Sequence, residues 1–185
     1  MKKILLYGWS EQSAQVLQQV CVSFDIPVYV INDSLLEASL KEVFGINEDL
    51  ENLHEEFAGS YMLIRDIANQ ELLKILKEDE TQDRAYEGII VSYTDTNAEW
   101  PLRTVFVETK REHTVLRKAR VLQMMIQAVN DMDYGGVALE QAQAAAMAAM
   151  DGLLYLKRGN ITEEGLDEKI MVLSKALRKM EQLSS

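Results

Sequence analysis

The spacing of apolar residues changes at Trp100-Pro101, and that change constrains the fold more than any other feature of the chain. Before it, short apolar runs alternate with helical segments. After it, about eighty residues carry an almost unbroken helical pattern. Four runs precede the change: residues 4–7, 28–31, 61–64 and 88–93. They are short and rich in β-branched and aromatic side chains, which suits buried strands. Helical spacing separates them. Ser10 is placed to cap a helix whose inner face carries Ala14, Leu17, Val20, Cys21 and Phe24. Ser34 and Glu37 have capping-box spacing, with Leu36, Leu40, Val43 and Phe44 behind them and Gly45 as a stop. Residues 47–57 read as another short helix with Leu50, Leu53 and Phe57 on one edge. Asn69 is an N-cap for a helix bearing Leu72, Leu73, Ile75 and Leu76, and residues 78–84 read as a charged loop.

Alternating strands and helices predict an α/β fold with a mainly parallel four-stranded sheet and right-handed crossovers. The pattern also repeats. At an offset of 62 residues Asp33 falls on Asp95, Ser34 on Thr96 and Glu37 on Glu99, with Leu40, Val43 and Phe44 on Leu102, Val105 and Phe106. This suggests duplicated βαβα units, residues 1–58 and 59–101 plus the start of the next helix, within a first domain of residues 1–101. The connection over residues 45–60 decides whether the halves continue one parallel sheet or meet antiparallel. Residues 102–185 form the second region, a three-helix unit expected to pack on the α/β body and to support self-association. Its Ala142–Ala149 stretch is small-faced, and Leu153, Leu154 and Leu156 follow on several sides of one helix. The methionines Met124, Met125, Met132, Met147, Met150 and Met171 read as adaptable core rather than a peptide groove.

Composition excludes several function classes. A formal net charge of −11 disfavours nucleic acid or an anionic membrane as partner. Residues 1–58 hold ten acidic and three basic side chains, whereas residues 102–131 hold six basic and three acidic ones. That basic stretch has no interleaved aromatic residues for base stacking, so it reads as a helix face pairing with the acidic remainder. The single cysteine, Cys21, lies on an apolar stripe and reads as core in a reducing compartment. The apolar run at residues 4–7 stops at Gly8, too short for a signal sequence, and no apolar stretch reaches spanning length. A cytoplasmic protein is expected.

Motifs for catalysis are missing from the sequence. No G-x-G-x-x-G, phosphate-loop lysine, G-x-S-x-G or Cys/His cluster is present, and His54 and His113 lack companions at ligand spacing. No catalytic residue, metal or cofactor is therefore assigned. The polar cluster after the fourth run is the main candidate surface. Thr94, Thr96 and Asn97 can close a hydrogen-bonded turn, and Pro101 can open a helix with Trp100 over the turn. The alternative is a ligand contact, because open α/β sheets bind at the carboxyl ends of parallel strands. On that reading Trp9, Asp33, Thr94, Asp95, Asn97 and Trp100 are the candidate binding residues.

Tyr7-Gly8-Trp9, Thr94, Thr96-Asn97, Trp100 and Leu102 also carry a resemblance. Over residues 3–110, roughly, the chain resembles a bacterial domain family, common in Firmicutes, with an aromatic Y-G-F/W turn and a T-x-x-N-x-x-W segment before a Leu-rich helix. Pro101 stands where that family more often has a hydroxyl N-cap. The resemblance implies a bacterial, cytosolic protein and no particular activity. The function expected is a non-catalytic binding, regulatory or protein-interaction module. The alternative is a small-molecule sensor or enzyme using the polar loops.

Overall fold

The computed structural model describes residues 1–80, 88–135 and 137–181. Four strands, β1 (Lys3–Tyr7), β2 (Val28–Val30), β3 (Tyr61–Arg65) and β4 (Ile89–Ser92), form one sheet in the order β2-β1-β3-β4. β1 pairs with β2 in parallel, and β3 with β4 likewise. The two pairs meet antiparallel through β1 and β3, with Leu5 opposite Leu63. The sheet is thus mostly parallel, and the two halves join by the antiparallel route.

Helices α1 (Glu11–Val22) and α3 (Asn69–Glu80) cover one face. There Ile4, Leu6, Met62 and Ile64 pack with Leu17, Cys21, Leu72 and Ile75. The short α2 (Leu40–Val43) and the first turns of α4 (Leu102–Asp131) cover the other. That core contains Leu5, Tyr7, Tyr61, Leu63, Leu102, Val105 and Phe106. Successive strand residues point to opposite faces, so each of the two central strands feeds both cores.

The halves obey a twofold relation. α1 and α3 have twelve residues each and lie 58 residues apart, the same spacing as Leu5 and Leu63. Tyr29 beside Leu5 and Val91 beside Leu63 are 62 apart. Ser39 forms an antiparallel bridge with Pro101, its own counterpart at that offset. Around the bridge, hydrogen bonds come in symmetric pairs. Leu40 N–H donates to Trp100 O as Leu102 N–H donates to Ala38 O, both at 2.9 Å. Lys41 N–H donates to Ala98 O as Arg103 N–H donates to Leu36 O. The ion pairs Lys41–Glu99 and Arg103–Glu37 repeat the relation in side chains.

Where the halves differ, helix length explains it. α2 stops after four residues, so carbonyls of Phe44 and Ile46 remain to be satisfied. Lys3, 4% exposed, reaches both oxygens at 3.0 and 2.7 Å and Asn47 Oδ1 at 2.8 Å. In the second half α4 continues past Phe106, whose carbonyl lies within the helix. Tyr61 stands in place of Lys3 and stacks its ring on Phe106 at 4.2 Å.

Two expectations need correction. The capping box is Ser39 with Glu42, not Ser34 with Glu37; residues 33–35 form a 3-10 turn instead. Residues 47–57 are not helical. They run along β2, an edge strand, and satisfy it: Asp49 Oδ1 accepts from Val30 N–H at 2.7 Å, and Leu50 N–H donates to Val30 O at 2.9 Å. The start of α4 belongs with the second half of the sheet. The chain divides into Met1–Lys110 and Arg111–Ser185, because Leu102, Val105 and Phe106 belong to the sheet's core. The loop expected at 78–84 lies outside the described residues from 81 onward, and α3 itself extends through Glu80.

In the second unit, the remainder of α4, α5 (Leu139–Lys157) and α6 (Glu163–Glu181) share a core of Leu122, Ile126, Val129, Ala149, Leu166 and Leu173. Gly152 keeps α5 close to α4, since a Cβ there would lie 3.2 Å from Leu122 Cδ1. Lys118 joins Glu163 and Asp167 at 2.7 Å, so part of the basic stretch is neutralised internally.

Candidate functional site

Topology separates the six candidate residues. Trp9 and Asp33 follow the carboxyl ends of β1 and β2, whereas Thr94, Asp95, Asn97 and Trp100 follow that of β4. Because β1 and β3 are antiparallel, these loops lie at opposite ends of the sheet. A single pocket using Trp9, Asp33, Asp95 and Asn97 does not form. The twofold relation that aligns Asp33 with Asp95 in sequence is what places them apart.

At the first end, the polar groups are engaged internally. Trp9 is core, 5% exposed, and its indole N–H donates to Tyr61 O at 3.1 Å. Asp33 accepts from the Tyr7 hydroxyl and from the N–H groups of Glu55, at 2.7 Å, and Glu56. The carboxylate thereby ties the 47–57 segment to β1 and β2. Arg103 joins Glu37 and Glu56, both at 2.7 Å, over the same segment. Burial by itself would raise the Asp33 carboxyl; its three donors outweigh that and hold it below the usual range. The Tyr7 hydroxyl is pushed up, chiefly by burial and then by Asp33.

Asp33 is therefore more acidic folded than unfolded. It contributes stability above the unfolded value of about 4, lost as pH falls through the folded value. Asp33→Asn is expected to cost about 2 kcal/mol at pH 7, as charge-assisted bonds weaken. It should also flatten the dependence of stability on pH below about 4. Urea unfolding from pH 2 to 7 checks this, and a slope unchanged from wild type would refute the tie.

At the second end, Asn97 closes its own turn. Its Oδ1 accepts from Thr94 N–H at 2.8 Å, its Nδ2 donates to Ser92 O at 2.9 Å, and its N–H donates to Thr94 Oγ1 at 3.3 Å. Trp100, 39% exposed, is held through its backbone by Asn97 O and Leu40 N–H. Asp95 is exposed on the turn. The T-x-x-N-x-x-W spacing thus describes a self-contained turn feeding the Ser39–Pro101 bridge. Among the described residues, no group of three or more His, Cys, Asp or Glu could hold a metal ion.

The helical unit offers a different surface, which the sequence reading underrated. Met125 and Met132 pack against the core as expected, but Met124, Met147, Met150 and Met171 are exposed. The bundle buries the Ala145, Ala149 and Gly152 side of α5 and partly covers Ala148, Leu153 and Leu156, whereas Leu139, Met147, Met150 and Leu154 face outward. Beside them, an open groove of about 330 Å³ between α4 and α5 is lined by Leu116, Ala119, Ile126, Leu153 and Leu156, with Arg120 and Lys157 among its polar residues. The signal in the sequence was a helix apolar on more sides than one bundle can cover.

Compared with protein-family models, curated proteins and solved structures, the chain matches none. Among the described residues, no helix is long and apolar enough to cross a membrane.

Proposed function

We propose that this chain is a non-catalytic, cytoplasmic protein-interaction module that works through the exposed apolar face of its helical unit. The observation that carries the reading is the contrast between the two units. In the α/β unit Asp33, Thr94 and Asn97, picked out by the sequence, are spent on tying loops and closing turns. In the helical unit, methionine and leucine side chains lie in water along one helix. Contiguous exposed apolar surface rimmed by polar groups is characteristic of binding faces, and unbranched methionines adapt to a partner. The acidic net charge and lone buried cysteine fit a reducing cytosol. The resemblance of the Tyr7-Gly8-Trp9 and Thr94–Trp100 segments to a bacterial domain family points to the same compartment.

A photo-crosslinking amino acid in place of Gln143, exposed on α5, tests the reading. Irradiation of producing cells is expected to give adducts larger than the 21.0 kDa chain. The same probe at Lys175 on α6 should give few. Absence of adducts at Gln143 refutes the proposal.

A further inference from the structure

We infer that the partner seated on α5 is a second copy of the same helix, packed antiparallel about a twofold axis between Met147 and Met150. The inference rests on the interaction reading above and names its occupant. Residues Glu140, Gln143, Met147, Met150, Leu154 and Lys157 recur at alternating spacings of three and four, which puts them on one coiled-coil seam. All six are exposed, Met147 by 73%, Met150 by 57% and Leu154 by 48%. The seam is apolar at its centre, acidic at its amino end and basic at its carboxyl end.

Those features are self-complementary in one orientation. With the axis between Met147 and Met150, each Met147 meets the other copy's Met150, and each Gln143 meets Leu154. Each Glu140 meets Lys157, so both outer contacts pair opposite charges. A parallel arrangement would instead oppose Glu140 to Glu140 and Lys157 to Lys157. The antiparallel one also sets the amino end of each helix dipole beside the carboxyl end of the other. Ala144 and Ala146 flank the seam and let the helices approach. Such an isologous contact closes on itself as a dimer.

Sedimentation equilibrium on the full chain tests the inference. Wild type is expected to sediment at twice 21.0 kDa at tens of micromolar. Met150→Glu, a change at an exposed position that should leave the circular dichroism of the folded chain unaltered, should weaken association by more than about 100-fold by placing two carboxylates in the seam. Glu140→Lys and Lys157→Glu should each weaken it by about fivefold, and the double swap should restore it. A wild-type monomer at about 100 μM overturns the inference, as does a dimer indifferent to Met150→Glu or a double swap no tighter than its single parents. If the chain is monomeric yet Gln143 crosslinks to a different protein, the second copy is refuted and the interaction reading stands. If there are no adducts, both fall.

Discussion

Gly8→Ala is expected to destabilise the α/β unit by more than about 3 kcal/mol, although it adds a single methyl group. Gly8 has φ of 70°, where a side chain already costs about 1 kcal/mol. The larger effect is contact. A Cβ on Gly8 would run into the carbonyl oxygen of Gly59, with the Gly59 carbonyl carbon 3.3 Å away. Both sides of the collision are backbone, so no rotamer change relieves it. Neither segment is free to retreat. Ser60 Oγ donates to Gly8 O at 3.0 Å, and Asn52 Nδ2 donates to Trp9 O at 2.8 Å. Asp66, one residue past β3 as Gly8 is past β1, has φ of 56° but is exposed. Asp66→Gly should therefore change stability by less than about 1 kcal/mol. Urea unfolding followed by tryptophan fluorescence separates the two, and a Gly8→Ala variant within 1 kcal/mol of wild type would refute the close approach.

What the sequence revealed and what it hid follow from the range of the interactions involved. The four strands, the helices at Glu11, Asn69 and Leu102, and the offset of 62 were legible because they rest on local periodicity and capping. The sense in which the halves join was not, since either sense satisfies the same strand pattern. The 47–57 segment was misread for a related reason. Leu50, Leu53 and Phe57 have helical spacing, yet Val30 on the edge of the sheet draws that backbone into hydrogen bonds of its own. The candidate site divided along similar lines. Asn97 as a turn residue was readable from Thr94 and Trp100 around it. Asp33 and Asp95 were placed in one surface because both follow parallel strands, and only the antiparallel β1–β3 pairing puts them at opposite ends. The α5 seam was hidden by composition: alanine, methionine and leucine on all sides of a helix do not say which side the bundle leaves uncovered.

Phe106→Ala should carry the other large cost, about 3–5 kcal/mol. Phe106 is fully buried and gathers three aromatic neighbours. Tyr61 stacks on it at 4.2 Å, Tyr7 tilts against it at 4.9 Å, and Phe57 meets it edge-on at 5.4 Å. These partners come from β3, β1 and the segment after β2, so one ring holds α4 to both halves of the sheet. Truncation opens a cavity among rings that cannot collapse into it without moving strands. It also strips packing from Tyr61, whose hydroxyl is buried without a hydrogen-bond partner among the described residues and whose pKa burial raises. Val107→Ala, one residue along the same helix but half-exposed, should cost less than about 0.5 kcal/mol. The pair therefore isolates burial from helix propensity. A cycle combining Phe106→Ala with Tyr61→Ala should show coupling of about 1 kcal/mol or more, as stacked rings lose the same contact in either single variant. Strict additivity would mean that the ring stack contributes nothing beyond the area it buries.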